Sequence, residues 1–320
     1  MSDLHWGACR ATAPDREIVM TRVQFIGLGA MGTPMVKQLA ERGISLFLSD
    51  IDGRRARALA LEINADYVAD AGTSSRVDFV ILMLPNSEIV ETVLGSTDDP
   101  GSLLGSLRPG ATIIDMGSSS PESSRQIAQR AAQSGIEFID APVSGGVARA
   151  AVGELTIMVG SRDQQSFERV LPILSVMGSA VTRVGSVGAG HALKALNNLL
   201  SVIGLIGGLE VIAVGQKFGV DPTIMLDVIN RSTGRNHATE VKIGPEVLQR
   251  RWGVGFSLAL TVKDVTTAQN LGRSAQMQTP LSDAAVRIAT DALDYLAGTS
   301  PDQSQIAEYI EAVNKIMFHP

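Results

Sequence analysis

The chain has 320 residues, the length of one large domain or two ordinary ones. Its 27 basic and 33 acidic residues give a formal net charge of −6, which argues against a nucleic-acid-binding protein. Hydrophobic residues make up 45% of the chain and charged residues 19%, so there is ample material for a core and the chain as a whole is not disordered.

The first 20 residues are predicted to form a flexible polar tail. This segment contains Asp3, Asp15 and Glu17 and has no apolar stretch, which argues against a signal peptide or a transit peptide. The single cysteine, Cys9, also lies here and has no partner for an internal disulfide. We therefore expect a cytoplasmic protein.

Short apolar strands alternate with helical segments in the first part of the chain. We predict strands at residues 22–26, 44–49, 77–84, 111–114, 137–139, 155–159 and 180–184. Between them, apolar side chains recur every three or four residues, as on one face of a helix. Continuous apolar strands separated by helices are typical of a parallel sheet covered by helices on both faces.

The pattern changes after Gly190, where long helical segments follow one another without a strand. We predict helices at residues 191–218, 222–230, 262–271, 280–296 and 304–317. The longest uncharged apolar stretch, residues 195–209, is 15 residues long, whereas a membrane span needs about 20. The predicted fold class is α/β: an α/β domain over residues 21–187, then an all-α domain over 188–320, with no membrane partner.

A glycine-rich turn of the form G-x-G-x-x-G follows the first predicted strand. In this motif Gly27 permits the tight turn, Gly29 lets the backbone approach a pyrophosphate, and Gly32 lets helix and strand pack closely. The candidate cofactor-binding residues of the turn are Gly27, Leu28, Gly29, Ala30, Met31 and Gly32. The turn predicts a Rossmann-type dinucleotide-binding domain, although an ordinary strand–helix turn has the same pattern.

Asp50 bears on the choice of dinucleotide. It ends the second predicted strand, about 20 residues after the turn, where an acidic side chain binds the ribose 2′-OH of NAD and repels a 2′-phosphate. Arg54 and Arg55 have the opposite effect, because either side chain is able to pair with that phosphate. We therefore expect NAD and do not exclude NADP. The alternative is that Asp50 caps a helix and that both arginines are solvated.

Residues 25–35, FIGLGAMGTPM, resemble the N-terminal signature of the β-hydroxyacid dehydrogenase family. Further segments match that family in its own order: residues 83–87 (MLPNS), 115–118 (DMGS), 140–146 (DAPVSGG), 188–198 (GAGHALKALNN) and 263–264 (KD). The resemblance extends from about residue 22 to residue 317. It departs from the family at Gly117, where the family has serine, so one hydroxyl contact to substrate is missing.

The resemblance implies reversible hydride transfer between NAD(P) and a small 3-hydroxy acid or its semialdehyde. Tartronate semialdehyde and 3-hydroxyisobutyrate are the leading substrates, and the active site is expected in the cleft between the two domains of a homodimer or homotetramer. The resemblance also implies cofactor contacts from Leu84, Pro85 and Ser118, and a contact from Lys263 to cofactor or substrate. The alternative for Lys263 is an ordinary surface Lys-Asp pair.

Lys194 and Asn198 are candidate catalytic residues. They are four residues apart and therefore share one face of a helix that is otherwise uncharged as far as Glu210. Partial burial lowers the pKa of a lysine and favours proton exchange near neutral pH, which carbonyl reduction requires. The resemblance implies that Lys194 transfers this proton and that Asn198 orients the substrate. The alternatives are a lysine that reaches solvent from a buried helix, and His191 as the base.

The turn formed by Ser144, Gly145 and Gly146 is a candidate site for the substrate carboxylate. Backbone N–H groups of a Gly-Gly turn are able to form a nest for an anion, and the serine hydroxyl adds a donor. Ser118 follows another strand, at the edge where open α/β sheets bind ligands. A plain glycine-rich turn is the alternative.

Two further features bear on partners and on rival functions. Gly204, Gly207 and Gly208 each cost a helix about 1 kcal/mol relative to alanine, which close helix packing between subunits would offset. The remaining histidines, His5, His237 and His319, have no metal-binding spacing, so we expect no metal. The rival functions are an imine reductase of the same fold and a non-catalytic dinucleotide sensor. The presence of Lys194 and Asn198 argues against both.

Overall fold

The computed structural model describes residues 21–69 and 77–319, so the predicted tail over residues 1–20 lies outside the described residues. The chain forms two compact units, residues 1–194 and residues 195–320. The boundary falls inside one continuous helix, Ala189–Phe218.

The first unit contains a nine-stranded sheet. Its strands are β1 (Arg22–Ile26), β2 (Ser45–Ser49), β3 (Asp66–Tyr67), β4 (Phe79–Leu82), β5 (Thr112–Asp115), β6 (Glu137–Asp140), β7 (Val143–Ser144), β8 (Leu155–Gly160) and β9 (Gly178–Gly185). Its helices are α1 (Gly32–Glu41), α2 (Gly53–Glu62), α3 (Ser87–Leu94), α4 (Leu103–Ser106), α5 (Pro121–Gln133), α6 (Gly146–Ala150) and α7 (Gln164–Met177). The two-residue strands β3 and β7 were not predicted, because they are too short to show a hydrophobic pattern.

The sheet order is β3-β2-β1-β4-β5-β6-β8-β7, with β9 paired to β8. Strands β1 to β6 run parallel, as predicted, whereas β8 is antiparallel to β6 and β7. The order reverses between β1 and β4, and in such sheets ligands bind outside the carboxyl ends of the strands at this point. The glycine-rich turn follows β1, and Leu84 and Pro85 follow β4, so both lie at the reversal.

Both faces of the sheet are buried. Phe25 and Ile81 belong to the core on one face, together with side chains of α1 and α7. Ile26 and Leu82, the next residues of the same strands, belong to the core on the other face with side chains of α3 and α5. Alternation along the central strands thus places successive apolar residues in one core and then the other, which explains the continuous apolar runs.

The second unit is helical throughout its described residues. Its elements are α8 (Ala189–Phe218, which begins in the first unit), α9 (Pro222–Asn230), α10 (His237–Val241), a π-helix (Ile243–Leu248), α11 (Leu258–Ser274), α12 (Pro280–Tyr295), a 3₁₀ turn (Gln303–Gln305) and α13 (Ile306–Asn314). Among the described residues, α8 alone is long and apolar enough to span a membrane by length and composition. Its buried side chains, including Leu205 and Leu209, pack in the core of this unit.

Candidate active site

The glycine-rich turn has the shape that a dinucleotide requires. Gly27 has φ +99°, and a Cβ atom there would collide with the carbonyl oxygen of Met83 in the loop after β4. A Cβ atom on Gly32 would collide with the carbonyl oxygen of Gly27. At Gly29, by contrast, no atom of the described chain lies within 4 Å of the Cβ position. Gly27 and Gly32 therefore pack the turn, and Gly29 leaves room for a pyrophosphate.

Asp50 braces this turn from the end of β2. Its Oδ2 atom accepts a hydrogen bond from the Leu28 backbone N–H at 2.6 Å, and its Oδ1 atom accepts one from Asp52 N–H at 2.8 Å. Only 6% of its side chain is exposed. The alternative of a helix-capping Asp50 is wrong, because Asp52 caps α2 by accepting from the backbone N–H groups of Arg54 and Arg55.

The arginines after Asp50 differ in their surroundings. Arg55 lies 3.9 Å from the Asp50 carboxylate and 3.6 Å from that of Asp52, so both acids engage it. Arg54 lines an open cavity of about 560 Å³, which Arg57 and Tyr67 also line. Arg57 lies over the Tyr67 ring, 4.7 Å from its centroid. Of the two arginines singled out in the sequence, Arg54 therefore borders open space, whereas Arg55 lies against two acids.

Gly117 explains why this chain departs from the family pattern after β5. A Cβ atom there would collide with the carbonyl oxygen of Leu84, so a serine does not fit this loop. The Asp115 carboxylate accepts from the Gly117 N–H at 3.0 Å and from the Ser119 hydroxyl at 2.6 Å. Ser118, the predicted cofactor contact, lies between these two anchored residues.

The predicted carboxylate-binding turn contains two glycines with positive φ. Gly145 has φ +134° and Gly146 has φ +69°, and both are exposed. A Cβ atom on Gly145 would come within 2.8 Å of Cδ of Arg149. Ser144 is held in β7, opposite Thr156 of β8. The turn thus needs glycine for both its conformation and its packing.

The start of α8 is anchored by a buried acid that the sequence did not single out. Asp140, the last residue of β6, accepts from the backbone N–H groups of Gly188 at 2.7 Å and His191 at 2.9 Å. The His191 side chain is fully buried, and Nδ1 lies 2.8 Å from the Ser124 hydroxyl. The burial of the ring argues against His191 as the base, because the ring exposes no atom to a substrate. Lys194, one turn further along α8, is half-buried.

A second buried acid, Asp264, lies beside Asn198 in the second unit. Its Oδ2 atom accepts from Asn198 Nδ2 at 2.6 Å, and its Oδ1 atom lies 3.2 Å from Lys263 Nζ. The Asp264 side chain is 5% exposed and that of Lys263 28%, which argues against an ordinary pair on the protein surface. Since the Asn198 N–H₂ group faces Asp264, its oxygen is the atom turned towards other donors, such as Asn197 Nδ2 at 3.3 Å.

The second unit contains a buried lysine, Lys242, that no sequence pattern indicated. Lys242 donates to the Ser201 hydroxyl at 3.0 Å and to Gln303 Oε1 at 3.1 Å. Burial lowers the pKa of Lys242, and the charge of Asp302 raises it by a smaller amount. The residue lies at the junction of α10 and the π-helix, neither of which was predicted. Among the described residues, no three His, Cys, Asp or Glu side chains group as metal ligands.

Two family models match the chain. Residues 22–185 match the NAD-binding domain of 6-phosphogluconate dehydrogenase, and residues 188–310 match the NAD-binding domain of NADP-dependent 3-hydroxyisobutyrate dehydrogenase. The chain belongs to the β-hydroxyacid dehydrogenase family. The family assignment predicted from the sequence is confirmed. The chain is an NAD(P)-dependent dehydrogenase that acts on the CH–OH group of hydroxy acids.

Known members of the family resemble this hydroxyacid dehydrogenase over most of their length. It is 36% identical over 267 residues to 2-(hydroxymethyl)glutarate dehydrogenase of Eubacterium barkeri, which covers 83% of this chain and 87% of the relative. It is 35% identical over 281 residues to NAD-dependent L-serine dehydrogenase of Pseudomonas aeruginosa, with 84% and 91% covered. The structure of Mycobacterium tuberculosis 3-hydroxyisobutyrate dehydrogenase with L-serine has a TM-score of 0.82 and 29% identity, with 91% and 99% covered.

Proposed function

We propose that this enzyme transfers a hydride reversibly between NAD and small carboxylates with a primary alcohol at C3, or their semialdehydes. The observation that carries the proposal is helix α8, on which Lys194 and Asn198 follow one another by one turn and the Asn198 amide is held by Asp264. The substrate carboxylate and the cytoplasmic location belong to the same proposal. The same proposal includes assembly of the chain into a homodimer or a homotetramer.

The compounds in the relatives' names support this substrate class. 2-(Hydroxymethyl)glutarate, L-serine and 3-hydroxyisobutyrate share the skeleton HOCH₂–CHR–COO⁻ and differ only in the group R. Replacement of R by hydroxyl gives glycerate, the product of tartronate semialdehyde reduction. A site that recognises the shared part needs a donor set for the carboxylate and a proton carrier at the C3 oxygen.

Different residues of the chain bind the cofactor and transfer the proton. The turn at Gly29 and the carboxylate of Asp50 hold the dinucleotide, and Leu84, Pro85 and Ser118 border it. A bound nicotinamide supplies the hydride for reduction or accepts it for oxidation. Lys194 gives a proton to the carbonyl oxygen when the semialdehyde is reduced, and takes it back in the reverse direction.

Three further groups orient the substrate. Asn198 presents its amide oxygen to the substrate hydroxyl, because Asp264 accepts from the amide nitrogen. The backbone N–H groups of Gly145 and Gly146 and the Ser144 hydroxyl bind the carboxylate. Lys263, which Asp264 holds in place, adds a positive charge.

A panel assay tests the proposal. The purified protein is mixed with NADH or NADPH and with three- and four-carbon semialdehydes, a neutral aldehyde of equal size, and a cyclic imine. We expect turnover with the semialdehydes and far lower kcat/KM with the neutral aldehyde. Equal kcat/KM for the acid and its neutral analogue contradicts a carboxylate site. Preferred turnover of the imine favours the imine reductase, and binding without turnover favours the sensor.

Replacement of Lys194 by alanine tests the proton transfer. We expect kcat to fall by about 10²- to 10⁴-fold, the usual contribution of a general acid, while NADH still binds. Lys217→Ala, at the far end of the same helix, is the matched control and is expected to retain full activity. If Lys194→Ala keeps more than about a tenth of the wild-type kcat, Lys194 is not the proton donor.

A further inference from the structure

The polar face of helix α8 extends one position beyond the two candidate catalytic residues. Lys194, Asn198 and Ser201 are spaced by four and then three residues, so they lie in one row on the helix surface. All three residues are half-buried. The next residue of the row, Leu205, is fully buried in the core of the second unit. The row of polar groups therefore ends at Ser201.

The Ser201 hydroxyl has one hydrogen-bond partner in the described part of the chain, the buried Lys242. Lys242 Nζ donates to the Ser201 oxygen at 3.0 Å and to Gln303 Oε1 at 3.1 Å. No acceptor among the described residues takes the hydroxyl hydrogen of Ser201. That hydrogen is available to an acceptor outside the chain.

Two glycines of α8 let the segment around Lys242 come close to this helix. A Cβ atom on Gly208 would lie 2.6 Å from Cδ1 of Ile243, the residue that follows Lys242. A Cβ atom on Gly204 would lie 3.2 Å from Oδ1 of Asn236. Lys242 immediately precedes the π-helix, a rare form that often occurs at functional sites.

The positive charge of Lys242 has no ion-pair partner among the described residues. No carboxylate there is within salt-bridge distance of the ammonium group. The charge of Asp302 acts on Lys242 from further away. The Asp302 carboxylate is already occupied by the backbone N–H groups of Gly255, Phe256 and Ser304. Because a buried charge without an ion pair is costly, an anion beside Lys242 would stabilise the folded protein.

The same anion would stabilise the charged form of Lys242. The ordinary pKa of a lysine is about 10.4, well above neutral pH. Burial lowers the pKa of Lys242, and the charge of Asp302 opposes this effect. A carboxylate held by the Ser201 hydroxyl would act in the same direction as Asp302.

We propose that Ser201 is a specificity-determining residue, whose hydroxyl, with the charge of Lys242 behind it, binds a carboxylate at the end of the substrate group R. The inference rests on the proposed function, which places the C3 oxygen at Lys194 and Asn198. Ser201 lies about 4.5 Å further along the helix axis than Asn198, since each residue rises about 1.5 Å. A carboxylate on a short carbon chain spans this distance. The preferred substrates are therefore hydroxymethyl dicarboxylates rather than acids in which R is methyl.

Two compounds that differ only in the end of R test this preference. One is 2-(hydroxymethyl)glutarate, in which R is CH₂CH₂COO⁻, and the other has a primary amide in place of that carboxylate. We expect the wild-type kcat/KM with NAD to be about tenfold higher for the dicarboxylate, because hydrogen bonds to a charged group are the stronger ones. Equal values, or a preference for the amide, overturn the proposal.

Substitutions distinguish recognition of R from a purely structural hydrogen bond. In Ser201→Ala and in Lys242→Met, the preference for the dicarboxylate should disappear. A loss of the same factor for both compounds leaves the preference intact and overturns the proposal. Ser201→Ala removes a single oxygen atom, so it decides the question if Lys242→Met does not fold.

Two variants of the second unit are controls that should keep the preference. Ser232→Ala removes a hydroxyl that donates to the Val228 carbonyl at 2.7 Å. Lys217→Met removes an exposed lysine from the same helix α8. A loss of the preference in either control shows that it does not depend on Ser201 and Lys242 in particular, and contradicts the assignment.

A binding measurement separates this result from a failure of the proposed function. Titration calorimetry in the presence of NADH gives the Kd of both compounds without turnover, because NADH already carries the hydride. If the enzyme oxidises no hydroxy acid of this class, the proposed function fails. The dicarboxylate should still bind about tenfold more tightly than the amide to the wild-type protein, and equally tightly to Ser201→Ala. Equal Kd values in the wild-type protein overturn the inference, whatever the activity.

Discussion

Asp50 combines two properties at the scale of a single residue. Its carboxylate braces the glycine-rich turn through Leu28, and in our proposal its negative charge opposes a 2′-phosphate on the bound ribose. An acid in this position favours NAD because it accepts hydrogen bonds from ribose hydroxyls. This residue therefore determines the cofactor preference in our proposal.

We expect Asp50→Ser to lower kcat/KM for NADH and to raise it for NADPH. The substitution removes the repulsion of the 2′-phosphate and leaves Arg54 available to bind it. Steady-state kinetics with both cofactors measure the change, and Asp66→Asn, an exposed acid on the adjacent strand β3, is the matched charge control. A wild-type enzyme that already prefers NADPH contradicts this explanation.

In our proposal, Asp264 affects catalysis only by orienting the Asn198 side chain. We expect Asp264→Ala to lower kcat by about 10- to 100-fold, the cost of a hydrogen bond to a charged group, since the Asn198 amide loses its anchor. Asp264→Asn should lose less, because its amide oxygen still accepts from Asn198. The KM for NADH should change little in both variants.

A second acid of the same unit is the control for Asp264. Asp283 accepts from the side-chain amide of Gln269 at 2.7 Å and makes no contact with Asn198. Asp283→Ala therefore removes a similar hydrogen bond without affecting Asn198. If both alanine variants lower kcat equally, Asp264 has no special role in orienting Asn198.

At the scale of an element, the turn between β7 and α6 has a conformation that only glycine adopts easily. We expect Gly145→Ala to raise the KM for the acid substrate, because its Cβ atom opposes φ +134° and meets the Arg149 side chain. The KM for NADH should stay nearly unchanged. Initial rates with one substrate varied at a time measure both constants.

Gly110→Ala separates backbone strain from the loss of the site. Gly110 also has a positive φ, +87°, but no atom of the described chain lies within 4 Å of its Cβ position. We expect this variant to lose stability without a change in KM. A rise in the acid KM of the same size in both variants contradicts a carboxylate site at Gly145.

At the scale of the whole molecule, helix α8 leaves an apolar stripe exposed. The stripe consists of Leu196, Leu200, Val211, Val214 and Phe218. Leu200 is 70% exposed and Phe218 88%, and Gly207 on the same face has no atom of the described chain within 4 Å of its Cβ position. The spacing of three, four and seven residues along a helix is typical of a surface that packs against another helix.

We expect the protein to form a homo-oligomer through this stripe. Leu200→Glu with Val214→Glu should shift the oligomer to the monomer, because two charges would be buried at the interface. Sedimentation velocity measures the mass, and Leu61→Glu, an exposed leucine on α2, is the control. A monomeric wild-type protein contradicts the expectation, and binding of that monomer to lipid vesicles points to a membrane surface.

The sequence by itself determined the features that depend on neighbouring residues. The strand, the glycine-rich turn and helix α1 follow one another within residues 22–41, so their local pattern predicts the dinucleotide-binding fold. The helices of the second unit were predicted for the same reason wherever they are long. The π-helix over Ile243–Leu248 and the short helix α10 were missed because they span too few residues to show a period.

Only the tertiary structure decided which polar side chains meet. Asp140 and His191 are 51 positions apart, and Asn198 and Asp264 are 66 apart, so no local pattern links either pair. The same holds for Gly117, whose lack of a side chain is explained by the Leu84 carbonyl in another loop. A buried polar group is stabilised by the partner that folding brings to it, and the residue types alone do not identify that partner.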